Sequence, residues 1–243
     1  MEASHVNPSI NIDLEKEIAK HYQEVKSNVL SACEKVNRDA SEITIIAVSK
    51  TQPKEVMMAA QSAGIHVYGE NKVQELLVKQ PYMGENTVWH MIGHLQTNKV
   101  KQIVGKVDLI HSVDSIRLLQ AIDKEAKKQG VVADILLEVN VAEEDSKFGL
   151  TVAEVLPLVR QAPLYSHVRI KGLMTIAPFV DNSEKNRPIF NHLRKLSVDI
   201  MHEKIDNVTM SVLSMGMTND YSVAIEEGAT MVRVGTGIFG AIG

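Results

Sequence analysis

Apolar positions along this chain follow two periods. From Leu14 they recur every three or four residues, at Leu14, Ile18, Tyr22, Val25, Val29, Ala32 and Val36, with Glu15, Lys16, Glu24 and Lys26 on the other sides. That spacing predicts one long amphipathic helix over 13–37, behind a loose tail over 1–10. Beyond it, short β-branched runs alternate with helical stretches. The runs begin at positions 43, 65, 87, 107, 134, 169, 209 and 231. The stretches between them that read as helices are Lys54–Ala63, Lys72–Gln80, Thr97–Val104, Ser115–Gln129, Val152–Gln161, Glu184–Lys204 and Asp220–Glu227. Strict alternation of this kind implies right-handed crossovers and a parallel sheet. Eight strands in roughly 250 residues is the size of a closed (β/α)8 TIM barrel. The pattern therefore predicts an α/β protein: one barrel domain over 1–243 with an additional N-terminal helix. An open doubly wound sheet is the alternative, but its first strand usually runs into a glycine-rich turn, and here Lys50-Thr51-Gln52-Pro53 stands in that place.

Composition narrows the function classes. A hydrophobic fraction of 44% and a charged fraction of 23% are those of an ordinary soluble globular protein. A formal net charge of −4 gives no electrostatic case for nucleic acid or a membrane surface. Cys33 is the single cysteine, so a disulfide framework and a thiolate metal site are excluded, and a small buried apolar role is expected for it. The N-terminal stretch MEASHVNPSINIDLEKEI lacks a basic region followed by an apolar core, and no apolar run reaches the length of a membrane span. A cytoplasmic protein is expected.

In a parallel barrel the functional groups gather at the C-terminal ends of the strands. Here these are Lys50, Asn71, Gly93-His94, His111-Ser112, Asn140, Met174-Thr175, Ser214-Met215-Gly216 and Arg233-Val234-Gly235-Thr236. Lys50 closes the apolar run Ile43–Val48. An ammonium group at the edge of an apolar layer loses hydration, which lowers its pKa and suits it to form Schiff bases with aldehydes. The other reading is a solvated lysine that ends a strand. Ser214-Met215-Gly216-Met217-Thr218 and Gly235-Thr236-Gly237 follow the last two strands, the usual place of a phosphate site in this fold, unless both are plain glycine turns. Arg233 lies in an apolar run, either paired to a carboxylate or aimed at a ligand. A lysine, a phosphate cradle and a cation in one mouth together suggest pyridoxal 5'-phosphate (PLP). His90 reads as a core histidine. His94 and His111 follow strands, but no metal-ligand spacing and no HExxH, paired-carboxylate or Ser/His/Asp arrangement appears.

The segments AVSKT (47–51), YGEN (68–71), WHMIGHLQTNK (89–99), KFGL (147–150), GLMTIAP (172–178), LSMGM (213–217) and VRVGTGIFG (232–240) resemble, in order, those of the pyridoxal phosphate homeostasis proteins. That family is similar in turn to the barrel domain of alanine racemases and related amino-acid decarboxylases. The resemblance implies a PLP-binding protein of vitamin B6 homeostasis. Lys50 would carry PLP as a Schiff base, Ser214, Gly216, Gly235 and Thr236 would hold the phosphate, Arg233 would face the pyridine nitrogen, and Asn71 and Met215 would line the pocket. An arginine cannot take a proton from the pyridinium, so the ring stays a weak electron sink. Racemases of this fold take a second acid from an extra β-domain of a partner subunit, and this sequence stops at Gly243, directly after the barrel pattern. Little or no turnover, no catalytic residue and a monomer are therefore expected, with PLP-dependent client enzymes as partners. A PLP-dependent racemase or lyase, with an acid such as His94, is the alternative. A barrel that binds a phosphorylated metabolite without covalent chemistry is a third reading.

Overall fold

The computed structural model describes residues 12–143 and 148–240; the tail expected over 1–10 and Lys147 of the KFGL segment lie outside them. Eight parallel strands close on themselves in sequence order: β1 (Thr44–Val48), β2 (Val67–Glu70), β3 (Val88–Met91), β4 (Leu109–Val113), β5 (Ala133–Glu138), β6 (Val168–Met174), β7 (Val208–Met217) and β8 (Met231–Val234). Closure is made by the pairing of β1 with β8, from Thr44 opposite Met231 to Ala47 opposite Val234. That pairing excludes the open sheet.

The outer helices are α2 (Lys54–Ser62), α3 (Val73–Lys79), α4 (Val100–Ile103), α5 (Ile116–Gln129), α6 (Val152–Val159), α7 (Arg187–His202), α8 (Tyr221–Glu226) and α9 (Thr236–Phe239). Their ends obey local chemistry. Ser115 caps α5 by accepting the Leu118 N–H, and Gly130 ends it in the left-handed region. The N-terminal helix α1 (Ile12–Lys35) buries Ile18, Val25, Val29, Ala32 and Cys33 and packs on α2, α8 and α9. Just after it, Arg38 donates through Nη1 to the carbonyls of Ile225 and Ala229, each at 2.8 Å, which satisfies the C-terminal end of α8.

The sequence pattern misplaces several boundaries. Two strands run further than their apolar stretches. β4 includes His111 and Ser112, whose polarity reads as a strand end, and β7 includes Ser214–Met217, which reads as a loop. β7 continues because it stays paired to β8, with Ser214 opposite Met231 and Met217 opposite Arg233; one extra residue on β7 is absorbed as a bulge. β2 begins two residues later than Ile65. The helices expected over 97–104 and 184–204 each open with a 3-10 turn, at Thr97–Lys99 and Ser183–Asn186. α9 occupies what reads as a plain tail.

The barrel interior is layered. Leu109, Leu136 and Met174 form an apolar plug with Val212 and Met231. Two residues further along four of those strands, on the same face, stand His111, Glu138, Ser214 and Arg233, all buried. A polar layer therefore caps the plug on the side of the strand C-termini.

Candidate functional site at the barrel mouth

Lys50 stands just past the end of β1, between two anchored neighbours. Ser49 is buried: its N–H donates to the Gly69 carbonyl, its hydroxyl donates to Glu70 Oε1 at 2.7 Å, and its carbonyl accepts from Lys79 Nζ at 2.6 Å. Lys79 is at the same time ion-paired to Glu70 at 2.7 Å. Burial pushes the Glu70 carboxyl up, against the pull of its bonds to Lys79 and Ser49. On the other side, Glu75 Oε2 accepts the Thr51 N–H at 2.8 Å, and that bond holds the Glu75 carboxyl below its ordinary value. Thr51 has a φ of 63°, a left-handed conformation that a β-branched residue adopts only under constraint. The turn that presents Lys50 is thus clamped from both sides. Lys50 itself is exposed at the mouth.

Arg233 is buried in the polar layer. Nη1 donates to Ser214 Oγ at 2.6 Å and Nη2 to the Thr175 carbonyl at 2.8 Å. Burial lowers its pKa to about 10, with Glu138 and Asp220 pulling the other way, so it remains a cation at neutral pH. The Ser214 hydroxyl also meets His111 Nδ1 at 2.9 Å, and His111 Nε2 meets His90 Nδ1 at 2.8 Å. Ser214 is fully buried, and its hydroxyl is engaged inside the barrel with Arg233 and His111. Burial lowers His90 to about 4 and His111 well below its ordinary value, so both rings are neutral. Glu138 is pushed up to about 7, first by burial and then by Asp114, against the pull of Arg233. It is half protonated near neutral pH.

The loops after β7 and β8 meet. Thr236 Oγ1 lies 3.4 Å from Thr218 Oγ1, and the Gly237 N–H donates to Thr218 Oγ1 at 3.4 Å. Thr218 and Thr236 share the wall of a cavity of about 110 Å³ with Met217, Asn219 and Asp220 from the β7 side and Pro178, Phe179, Val180 and Asn186 across from it. Gly235 abuts β1: a Cβ there would sit 3.5 Å from Val48 Cβ, two residues before Lys50. Gly216 has a φ of 90°, and a Cβ on it would lie 2.6 Å from Ala224 Cβ and 2.8 Å from Tyr221 Cα. Its first duty is therefore to let α8 close on the end of β7. Met215 points into the core outside the barrel and is fully buried, so it faces the mouth only through its backbone. Asn71 is half-buried at the end of β2.

Lys50, Gly235, Thr236, Gly216, Arg233 and Asn71 all lie at one end of the barrel, as the motif reading expects. Glu138 and the Glu70–Lys79 pair escaped that reading. A period-two signal was present for the first: Glu138 stands two residues after inward-facing Leu136. His94, singled out as a possible acid, is exposed; its ring stacks on Phe148 at 3.9 Å, and Nδ1 lies 3.0 Å from Asp114 Oδ2.

The alanine racemase N-terminal domain family matches residues 21–242. A pyridoxal phosphate homeostasis protein of Aquifex aeolicus is 44% identical over 217 residues, which cover 89% of this chain and 94% of that protein. This chain belongs to the pyridoxal phosphate homeostasis protein family. The family member of Escherichia coli K12 is 34% identical over 230 residues, covering 93% and 97% of the two chains. Among solved structures, PipY of Synechococcus elongatus with PLP bound superposes with a TM-score of 0.80 at 31% identity, over 92% of this chain and all of that one. An alanine racemase of Clostridium difficile shares the fold, with a TM-score of 0.72 at 13% identity over 92% of this chain and 56% of that one.

Proposed function

We propose that this chain binds PLP as a Schiff base on Lys50 and acts in intracellular PLP homeostasis, and so indirectly on amino-acid and keto-acid balance, with little or no turnover. The observation that carries this reading is the gathering of an exposed amine, a buried guanidinium and two hydroxyl- and glycine-bearing loops at one end of the closed barrel. Their chemistry fits the three parts of PLP: an aldehyde for the amine, a ring nitrogen for the guanidinium and a phosphate for the loops. When bound, PLP supplies an electrophilic carbon for amines and an aromatic ring that withdraws electrons in proportion to the charge on its nitrogen.

The side chains divide the work. The clamped turn holds the Lys50 amine at the mouth, and Thr218, whose hydroxyl accepts from the Thr236 hydroxyl and the Gly237 N–H at 3.4 Å each, keeps its own proton to donate to an anion, while those two long bonds would yield to one. Gly216 and Gly235 bring backbone close to the same place, and Asn71 and the Met215 backbone complete the wall. Arg233 only donates hydrogen bonds, so it stabilises an unprotonated ring nitrogen and keeps the ring a weak electron sink. That is the physical argument for binding without fast catalysis. In this reading a cytoplasmic monomer buffers PLP or passes it to PLP-dependent enzymes.

A PLP-dependent racemase or lyase is the second reading. It is favoured by Glu138, which titrates near neutrality beside Arg233, and by the His94–Asp114 pair near the mouth. Borohydride reduction of PLP-loaded protein, followed by peptide mass mapping, tests the first claim: the fixed pyridoxyl group should lie on Lys50. Label on another lysine overturns that assignment. No label on protein that binds PLP points to phosphate recognition without covalent chemistry. Steady product formation from free amino acids would favour the enzyme.

A further inference from the structure

The buried chain His90–His111–Ser214–Arg233 joins β3, β4, β7 and β8, and the proposed function uses only its last member. Its direction is fixed from the arginine end. A guanidinium only donates, so Ser214 Oγ accepts from Arg233 Nη1. The serine has one proton left to give. His111 Nδ1, at 2.9 Å, is its partner in the chain, and a buried hydroxyl that kept its proton unpaired would be penalised. His111 Nδ1 is therefore an acceptor and its proton sits on Nε2. That N–H donates to His90 Nδ1 at 2.8 Å, which leaves the His90 proton on Nε2 as well. The opposite direction would have His111 Nδ1–H donate to Ser214 and would strand the serine proton. Burial of both rings, which keeps them uncharged, agrees with this chain of neutral donors.

We propose that His111 is a positioning residue for the cofactor ring: through the Ser214 hydroxyl it fixes the guanidinium of Arg233. This role rests on the proposal that Arg233 meets the PLP ring nitrogen. It also gives the Ser214 hydroxyl a duty inside the barrel in place of the phosphate. Arg233 is held on two sides, by Ser214 and by the Thr175 carbonyl, so loss of the serine's orientation frees one of its two anchors.

The test combines nitrogen-15 NMR of the imidazoles in PLP-free protein with PLP titration of wild type, His111→Leu and His111→Asn. Asn sets an amide oxygen near the place of Nδ1 and so keeps the acceptor. The expected results are protons on Nε2 of both rings, a PLP Kd raised about ten-fold or more in His111→Leu, and recovery to within about three-fold of wild type in His111→Asn. The pH at which the absorbance of bound PLP titrates should shift in the leucine variant and return in the asparagine variant. A proton on Nδ1 of His111 overturns the direction of the chain. Equal PLP binding and equal pH profiles in all three proteins overturn the positioning role, as does a folded His111→Asn that is as weak as His111→Leu. If His111→Leu does not fold, the NMR assignment and the asparagine variant decide. Failure of the wild type itself to bind PLP would overturn the proposed function, and this role with it.

Discussion

Lys50 is set by its neighbours more than by its own surroundings. Glu75 accepts the Thr51 N–H while Lys79 and Glu70 hold Ser49, and between them they keep Thr51 in a left-handed conformation that costs about 1–2 kcal/mol in a β-branched residue. Glu75→Ala removes one side of this clamp. Calorimetry should show a loss of about 1–2 kcal/mol, since the bond to Thr51 goes together with the ion pairs of Glu75 to Lys72 at 3.5 Å and Lys79 at 3.7 Å. PLP affinity should fall about ten-fold, because the amine is no longer held. An unchanged affinity would mean that the clamp does not position Lys50. None of this is visible at Lys50 itself in the sequence: Glu70, Glu75 and Lys79 read there as ordinary charges on a strand end and a helix. The lysine was legible because it closes an apolar run; its exposure was not, since that depends on where the strand stops.

At the scale of elements, the period of apolar residues carried most of the information. Eight runs and the helices between them were enough to specify the barrel, and β8 agrees residue for residue with its run at Met231–Val234. The two strand ends that were read too early, those of β4 and β7, share a cause. His111 and Ser214 are polar residues that point inward, and their hydrogen bonds to each other and to Arg233 make burial tolerable. A polar residue in a strand run looks like an end until its partners on other strands are known. The N-terminal helix was legible from its stripe, whereas the link that follows it was not. Arg38 bonds the carbonyls that end α8 and its following turn. Arg38→Ala should lower stability by about 1.5–3 kcal/mol, as removal of charged hydrogen bonds to buried carbonyls does. Urea denaturation would measure it, and a loss under 0.5 kcal/mol would show that α1 docks by its apolar stripe alone.

For the whole molecule, the polar layer makes stability depend on pH in two opposed ways. Glu138 has its pKa raised from 4.5 to about 7. A raised carboxyl contributes stability that is fully present below the unfolded value and is lost as pH rises through the folded one. His90 is lowered from 6.5 to about 4. Its contribution is present above 6.5 and is lost as pH falls toward 4. Between about pH 4.5 and 6.5 the two slopes are equal and opposite, so these two groups together leave the stability of the PLP-free protein almost flat there. Glu138→Gln removes the alkaline arm. Its stability should match that of wild type at about pH 4 and exceed it at pH 8, by an amount bounded at about 3 kcal/mol from 2.5 units at 1.36 kcal/mol each. Thermal scans across that range check it, and a constant difference between the two proteins would contradict the assignment.

The central claim is that Lys50 carries PLP, and the most direct test is the visible absorbance of PLP-titrated wild type beside Lys50→Ala. The account predicts a Schiff-base band that saturates with PLP in the wild type and is missing in the variant, whose fold should persist because the side chain is exposed. No band in PLP-saturated wild type, or the same band in Lys50→Ala, would contradict it.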